Sequence, residues 1–560
     1  MSSLLLPRRL NLYTGGSLRP RLWGAVALLA GLMAALLSWQ TALLILVIAI
    51  LLVGSLIDTR VALVTTLVIA PLKILLETEV PFTKELPVDI GQIALFVTVS
   101  IWLARAIATR KRLALPWTPM YVPLLLFVGA AALSLLDTVA LPSTLKELVV
   151  FAEMIVLVAL VVSLMRTNGL KAVSWIVVGL IASGVVQALL GIYEFRGGSG
   201  AASLWILDNR YFRAFGSFGQ PNPFGAFMGF ILSLALGVTY GVATEAWSAF
   251  QAYRQDKRLN EVHVDNGEPL SPALSPRAGK GSQTRVPSPS LLAGRDLGWG
   301  KTVSKAESSR RLLSAIALLG LLIVADAVLA AGLLVSWSRG AWMGFGAAAA
   351  TLLLFAPRRR WLGFALLAGV ILTTVFFFVT GIAPASLVAR ASDFTQELAA
   401  YGDVRGAQIS DANYAVLERL AHWQAAIGMA NDHPWLGVGF GAYDTAYPTY
   451  ALINWPLGLG HAHNFYLNLL AETGVVGLIA YLTMWVIIVI LTLRVLNHER
   501  GFRRGVALGT LGVWAHLAVH SIFDKLYVNN LPLHLGVMLG LIGGLVVYGT
   551  VHDKQRTSGR

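Results

Sequence analysis

Long apolar blocks recur along the chain, and polar residues gather in the short stretches between them. Each block is about 17–25 residues long, the length that an α-helix needs to cross a bilayer. The pattern predicts an all-α polytopic membrane protein with about 12–14 transmembrane helices and one large outer loop carrying short amphipathic helices. The candidate spans are 22–38, 41–57, 61–77, 88–105, 119–136, 145–165, 171–193, 222–244, 312–335, 340–356, 361–381, 465–493, 504–522 and 533–551.

The segments between the spans divide the chain into five parts. These are an N-terminal transmembrane bundle (1–244), a basic cytoplasmic insert (245–311), further transmembrane helices (312–381), a large extracytoplasmic loop (382–463) and C-terminal transmembrane helices (464–560). The insert is rich in Pro, Ser and Gly, so we predict that it is disordered. Within the large loop, Ala415–Ala430 has apolar residues at helical spacing and precedes DHPWLGVGFGAY, which predicts an amphipathic helix followed by a glycine-rich turn.

The charges predict the orientation in the membrane. Hydrophobic residues make up 56% of the chain and charged residues 13%, with a formal net charge of +14. Most of the 43 lysines and arginines fall in segments on the same side as the amino terminus. Because basic residues accumulate on the cytoplasmic side, we expect a multi-pass protein of the cytoplasmic (inner) membrane with both termini in the cytoplasm. The basic loops lack interleaved aromatic residues, which argues against a nucleic-acid partner.

Four polar residues from three parts of the chain fall on the predicted outer face. His461 and His463 stand at the mouth of the twelfth span, Arg213 lies in RAFGSFGQPNPFGAF, and Arg339 lies in SWSRGAW. Arginine binds phosphate oxygens with paired hydrogen bonds, and a neutral histidine accepts a proton from a hydroxyl near pH 7. The set predicts a diphosphate leaving group held by arginines while a base activates an alcohol.

Metal ions often hold diphosphates, but the outer loops have no tight carboxylate cluster of the kind that magnesium or manganese prefers. The arginines would take that role, so we expect neither a metal nor another cofactor. Cysteine is absent, which excludes thiol ligands and thiol nucleophiles.

Three motifs resemble signature elements of the O-antigen ligase and O-antigen polymerase superfamily of bacterial envelope enzymes. They are RAFGSFGQPN, SWSRGAW, and HN followed by nine residues and GVVG, which contains His463, Asn464, Gly474 and Gly477. The resemblance covers about residues 205–480. It implies an inverting, metal-independent glycosyltransferase that moves a glycan from undecaprenyl diphosphate to a lipid-bound or glycan-bound acceptor hydroxyl, with the lipid tail entering from the membrane lipid. His463 would be the base, and Arg213 and Arg339 would hold the diphosphate.

His463 in the last motif and the neighbouring His461 each have a second interpretation. His463 can instead cap or pack at the helix mouth. His461 is either a polar ligand for substrate or a solvated loop residue, and with His463 it could form a metal pair, although no third ligand is evident. Asn464 is predicted to cap the helix, and Gly474 and Gly477 to allow a close helix contact.

The arginines also have structural alternatives. Arg339 can be a snorkelling residue at a helix end, and Arg213 can form a salt bridge with Asp208 or Glu194. Arg419, on the predicted amphipathic helix, would bind acceptor phosphate or sugar, or lie on a solvated face.

Three other functions use much of the same pattern. An O-antigen or exopolysaccharide polymerase needs the same leaving group and base, and a protein O-oligosaccharyltransferase changes only the acceptor. A membrane transporter would also have intramembrane charges, such as Lys73, Glu153, Asp326 and Glu472, which we expect to be paired inside the bundle. No internal repeat of the kind typical of transporters is evident, and the candidate residues gather at one face, which favours an enzyme.

Overall fold

A computed structural model of the protein describes residues 51, 53–79, 88–110, 115–197, 204–206, 210–265, 305–382, 402–410 and 413–558. The first helices are α1 (Thr59–Ile69), α2 (Lys73–Glu79), α3 (Ile90–Arg110), α4 (Tyr121–Ala132), α5 (Leu141–Asn168), α6 (Leu170–Gly197), α7 (Pro221–Asp265) and α8 (Lys305–Val335). They are followed by α9 (Arg339–Phe355), α10 (Arg360–Val379), α11 (Tyr414–Asp432), α12 (Tyr443–Tyr450), α13 (Phe465–His498), α14 (Gly501–His520) and α15 (Leu531–Ser558).

Short elements complete the described part. Two 3₁₀ helices, Ala70–Leu72 and Leu133–Leu136, continue α1 and α4. The two-residue strands β1 (Trp205–Ile206) and β2 (Tyr211–Phe212) pair antiparallel, with Trp205 opposite Phe212.

The helices confirm the predicted all-α polytopic membrane protein. Nine of those described are long and apolar enough to cross a membrane, and α9 and the helical stretch Tyr121–Leu136 are shorter apolar helices. The predicted spans from 61–77 onward all coincide with helices. Span 22–38 and most of 41–57 lie outside the described residues, so the total number of spans stays a prediction. Helix α10 buries only Gly363 and exposes its Leu, Val and Phe side chains, as a helix surrounded by lipid does.

The predicted disordered insert is shorter than 245–311. Helix α7 continues to Asp265 and α8 begins at Lys305, so the prediction of disorder is wrong at both ends. The stretch after the span, ATEAWSAFQAYRQDKRLNEV, consists mainly of residues with good helix propensity, and a helix already nucleated in the membrane extends through it at little cost. Residues 266–304 lie outside the described residues.

Helices α7 and α14 pack closely at the centre of the bundle. Their glycines meet: a Cβ on Gly237 would overlap the backbone of Gly509, and a Cβ on Gly505 would lie 2.9 Å from Gly241 Cα. Small residues four apart let two membrane helices approach through their backbones. This contact fixes α14 against α7, and it thereby positions the end of α14, where the candidate site lies.

The predicted pairing of intramembrane charges is met by an ion pair at Lys73 and only by hydrogen bonds from neutral side chains at Glu153 and Asp326. Lys73 pairs with Asp89 at 3.3 Å, and Glu153 accepts a hydrogen bond from Gln92 at 3.0 Å. Asp326 accepts one from the Thr239 hydroxyl at 2.7 Å. A charge in the bilayer is costly unless it is paired in this way.

Candidate active site

Asn464 fixes the start of α13. Its side-chain oxygen accepts hydrogen bonds from the backbone N–H groups of Tyr466, at 3.0 Å, and Leu467, at 3.1 Å. The predicted N-cap is therefore confirmed. The preceding loop is held as well, because the Ala462 N–H donates to the Asn468 side chain at 3.0 Å. His463 lies between these two anchors with a positive φ of 52°, a conformation that non-glycine residues adopt only where the surroundings enforce it.

His461 and His463 face one carboxylate, that of Asp524, in the loop after α14. Asp524 Oδ1 lies 3.5 Å from His461 Nε2 and 3.7 Å from His463 Nδ1. The His463 backbone N–H donates to His461 Nδ1 at 3.0 Å. That bond requires a lone pair on His461 Nδ1, so a neutral His461 carries its proton on Nε2, toward Asp524.

The carboxylate likewise selects the tautomer of His463. His463 Nδ1 is buried and has no hydrogen bond of ordinary length, and the Asp524 carboxylate lies 3.7 Å from it. The negative charge of this carboxylate favours a proton on Nδ1, and Nε2 of the neutral ring then keeps its lone pair. The arrangement can support a general base that accepts a proton at Nε2.

Electrostatics set the charges in this cluster. Burial lowers the pKa of His461 to about 3, against the opposing effect of Asp524, so the imidazole is neutral at pH 7. Burial disfavours the Asp524 carboxylate, but His463, His461 and His520 outweigh it and hold its pKa below the usual range. The cluster thus contains one ionised carboxylate.

A buried ion pair holds the loop of Asp524 in place. The neighbouring Lys525 places its Nζ 2.6 Å from Glu147 Oε1 on α5. Burial opposes the charge on Lys525, but Glu147 and Glu472 raise its pKa above the usual value. Glu472 itself, on α13, accepts a hydrogen bond from the Tyr443 N–H at 3.2 Å. These contacts join α5, α13 and the large loop around the carboxylate.

The stretch DHPWLGVGFGAY docks onto a break in α13. Gly474 has φ 61° and ψ −166° inside the helix, which interrupts the helical hydrogen bonds. The loop satisfies the freed groups: Val438 N–H donates to Ala471 O at 2.9 Å, and Val475 N–H donates to Pro434 O at 2.8 Å. A Cβ on Gly474 would overlap the backbone of Trp435. The close contact predicted for Gly474 therefore exists, but its partner is a loop and not another helix.

Three arginines line one cavity beside this cluster. Arg213, Arg339 and Arg419 border a space of about 170 Å³, together with Asn222, Gly340, Met343, Ala415, His520 and Phe523. Arg213 follows β2, Arg339 is the first residue of α9, and Arg419 lies on α11. The structure thus brings the two predicted diphosphate-binding arginines together and adds the third.

The charge in the cavity is of one sign. Burial, together with the charges of Arg419 and Arg339, lowers the pKa of Arg213 to about 10, and its Nε is buried without a hydrogen-bond partner. Within the described ranges, no carboxylate lines the cavity. Three guanidinium groups held in one small space form a site for a multiply charged anion.

The salt bridge considered for Arg213 is not formed with Glu194. That carboxylate instead accepts hydrogen bonds from the N–H groups of Phe215, at 3.0 Å, and Gly216, at 2.8 Å. The other considered partner, Asp208, lies outside the described residues. Arg339 borders the cavity at the start of α9, where Ser338 caps the helix.

The cavity and the histidine cluster share the end of α14 and the loop that follows it. His520 and Phe523 line the cavity, whereas the next residue, Asp524, faces His461 and His463. Helix α11 connects the two as well, since it carries Arg419 and also His422, whose ring lies 6.0 Å from that of His463. The predicted amphipathic helix is confirmed over Tyr414–Asp432, and it positions both side chains.

The sequence interpretation missed Asp524 and His520. The signal was present in HSIFDK, where a histidine lies in the last turn of the thirteenth predicted span and an acidic residue follows the span on the predicted outer side. Asp524 also supplies the third ligand that a metal pair lacked: the ligand atoms of His461, His463 and Asp524 lie within 4.8 Å of one another, so these residues can hold a metal ion. The expected independence from metal stays a prediction.

A comparison with protein families finds one match in this region. The O-antigen ligase family model matches residues 323–482, which contain Arg339, Arg419 and the HN…GVVG motif. The predicted resemblance is confirmed there, whereas the motif around Arg213 precedes the matched range. The match supports a glycan-processing membrane enzyme with a lipid-linked glycan substrate. A search of curated proteins finds no match.

Proposed function

We propose that the protein is an inverting glycosyltransferase of the O-antigen ligase type. It moves a glycan from undecaprenyl diphosphate to an acceptor hydroxyl on the outer face of the cytoplasmic membrane. The observation that carries this proposal is the juxtaposition of a cavity lined by Arg213, Arg339 and Arg419 with His463, whose Nδ1 lies 3.7 Å from the Asp524 carboxylate.

The arginines act on the leaving group. Their guanidinium groups bind the diphosphate of the donor and neutralise the charge that develops as the bond between the anomeric carbon and the phosphate oxygen breaks. The neighbouring apolar spans accommodate the polyprenyl tail in the lipid. Because these cations are fixed before substrate arrives, little reorganisation accompanies the reaction.

His463 acts on the acceptor. Its Nε2 accepts the proton of the acceptor hydroxyl while that oxygen bonds to the anomeric carbon, and undecaprenyl diphosphate leaves from the opposite side. Asp524 holds the proton on Nδ1 and stabilises the imidazolium that forms, as a carboxylate does beside a catalytic histidine. One displacement inverts the anomeric configuration.

The acceptor distinguishes the members of this class. A ligase uses a hydroxyl on a lipid-bound core sugar, a polymerase uses another repeat unit, and a protein O-oligosaccharyltransferase uses a side chain. Product analysis separates them: a polymerase lengthens the donor glycan when the donor is supplied alone, whereas the other two need an added lipid or protein acceptor.

The test uses purified protein in detergent with an undecaprenyl-diphosphate-linked glycan and candidate acceptors, with and without EDTA. We expect release of undecaprenyl diphosphate that is insensitive to EDTA and falls about 10²–10⁴-fold in His463→Ala. The matched control is His498→Ala, an exposed histidine in the last turn of α13, which should retain full activity. Absence of turnover in folded wild-type protein would contradict the proposal, and loss with EDTA would assign a metal to His461, His463 and Asp524.

A further inference from the structure

A second pair of histidines, outside the His463 cluster, is buried at the end of α14. His516 and His520 are one helical turn apart and only 0% and 1% exposed. His516 Nε2 lies 3.2 Å from His520 Nδ1. Burial of imidazoles in a membrane helix costs free energy, so such residues usually have a function. The reaction described above uses neither of these two histidines.

The fold makes room for these two rings with three glycines. A Cβ on Gly229 of α7 would overlap the His516 ring, and one on Gly344 of α9 would lie 2.9 Å from His516 Nε2. A Cβ on Gly340 would lie 2.7 Å from His520 Cδ2 and 2.9 Å from its Nε2. Any other residue at these positions would displace an imidazole, so the local packing is adapted to the pair.

The ring edge of His520 that is opposite to His516 lies beside Gly340, a residue that lines the arginine cavity. The Nδ1 of His520 is used by His516, and the opposite edge of the ring, Cδ2–Nε2, rests against Gly340. Gly340 and His520 both line the cavity, beside Arg339. Because Nδ1 is engaged by His516, Nε2 is the ring nitrogen of His520 that remains for a ligand in the cavity.

The hydrogen bond between the rings fixes which nitrogen of His520 carries a proton. Two facing nitrogens share one proton, and His516 Nδ1 is buried without a partner. If His520 Nδ1 were the donor, a neutral His516 would bury an unpaired N–H, which is rarer in proteins than an unpaired acceptor. The better arrangement has His516 Nε2–H donating to His520 Nδ1, which leaves the proton of a neutral His520 on Nε2, on the ring edge beside Gly340.

We propose that His520 is a further diphosphate-binding residue, which donates its Nε2–H to a phosphate oxygen, and that His516 is the positioning residue that fixes this tautomer. The inference rests on the proposed function for the identity of the ligand. The polar groups that line the cavity are three guanidinium groups, the Asn222 amide and the His520 imidazole, which are mostly hydrogen-bond donors, and a diphosphate has enough oxygens to accept from all of them. The histidine adds a directed neutral donor to the cationic ones.

The test measures the affinity of the purified protein for inorganic pyrophosphate and for undecaprenyl diphosphate by calorimetry. His520→Phe keeps the ring volume without a donor, and His520→Gln keeps a side-chain N–H. We expect His520→Phe to weaken binding of both ligands about tenfold or more, as the loss of a hydrogen bond to a charged group does, and His520→Gln to stay within about threefold of wild type. His516→Gln, which can still donate to His520, should bind more tightly than His516→Leu.

Thermal unfolding controls for damage to the fold. A merely structural role predicts lower unfolding temperatures with equal affinities in the Phe and Gln variants, and that result would overturn the inference. If His520→Phe does not fold, the two variants of His516 provide the test. Equal affinities of His516→Gln and His516→Leu for pyrophosphate would also overturn the inference. Wild-type protein that binds pyrophosphate through His520 but transfers no glycan would refute the proposed function alone, whereas normal transfer with unchanged affinity in His520→Phe would refute only the role of His520.

Discussion

The histidine cluster and the arginine cavity are neighbours with opposite electrostatic designs. Around Asp524, charges of both signs lie close together: the carboxylate faces the imidazoles of His461 and His463, and the adjacent Lys525 pairs with Glu147 at 2.6 Å. In the cavity, Arg213, Arg339 and Arg419 face one another without a lining carboxylate among the described residues. The first region contains its own counter-charges, whereas the described lining of the second supplies cations and no carboxylate, which favours binding of an anionic ligand.

This difference assigns separate tasks to the two regions. A balanced network holds side chains in one geometry, which suits a base that must meet its substrate in a fixed orientation. A cluster of like charges lowers the stability of the empty protein and recovers that cost when an anion binds. Substitutions in the histidine cluster should therefore reduce kcat, and substitutions in the cavity should chiefly reduce affinity for the donor.

The largest effect should come from Asp524→Asn. The amide keeps the shape of the side chain but removes the charge that holds a proton on His463 Nδ1, so the fraction of His463 with a free Nε2 lone pair falls. We expect kcat for glycan transfer to fall about 10²–10⁴-fold, with the affinity for undecaprenyl diphosphate nearly unchanged. Steady-state transfer kinetics and ligand calorimetry measure the two quantities.

Asp403→Asn is the matched control for this variant. Asp403 is an acid of the large loop that pairs with Arg405 on an exposed surface, outside the site. The Asp403→Asn variant should transfer glycan at the wild-type rate. A kcat for Asp524→Asn within threefold of wild type would show that Asp524 does not orient the base. The assignment of kcat to the histidine cluster would then be wrong.

A smaller effect, on the affinity for the donor, is expected for Arg339→Lys. Lysine preserves the charge but lacks the planar fork that makes paired hydrogen bonds to phosphate oxygens. The dissociation constant for undecaprenyl diphosphate should rise about 10-fold, with a smaller change in kcat at saturating donor. Arg359→Lys, an exposed arginine at the start of α10, is the control. Unchanged donor affinity in Arg339→Lys would support the snorkelling interpretation.

The sequence predicts the membrane fold and most of the site because the governing signals are local. Apolar blocks long enough to span a bilayer identify the helices, and the Asn464 cap is recognisable from its place before an apolar run. Arg213, Arg339 and His463 are recognisable because charged and titratable residues are unusual at span ends on the predicted outer face, where basic residues are few.

What could not be predicted depends on contacts between distant segments. Asp524 lies 61 positions beyond His463 along the chain, and nothing in HSIFDK says which residue it faces until α14 and α13 are packed. The break at Gly474 likewise depends on the loop Pro434–Val438, which supplies hydrogen-bond partners for the backbone groups that the break frees. The continuation of α7 to Asp265 was missed for another reason, since a composition rich in Pro, Ser and Gly farther along the insert concealed its helical start.

The smallest expected effect is on the pH dependence of stability, and it arises from His422, which lies on α11 between the two regions. Its ring stacks on Tyr447 with the centroids 4.4 Å apart, and its Nδ1 lies 2.9 Å from the Tyr443 hydroxyl. Burial, assisted by the charge of His463, lowers the pKa of His422 to about 4. As the pH falls from about 6.5 toward 4, the unfolded chain binds a proton that the folded protein does not, so the free energy of unfolding decreases.

His422→Phe keeps a ring for stacking but removes this titration. Wild-type protein should lose up to about 2 kcal/mol of stability through this group between pH 6.5 and pH 5, at about 1.4 kcal/mol per pH unit. The drop in unfolding temperature from pH 7.5 to pH 5 should therefore be smaller in His422→Phe than in wild type, even though loss of the Tyr443 contact lowers both temperatures. His498→Phe, at the other end of α13, should behave as wild type. An equal drop in His422→Phe would mean that α11 opens before His422 is protonated, and the two regions would then be joined by a mobile helix and not by a fixed one.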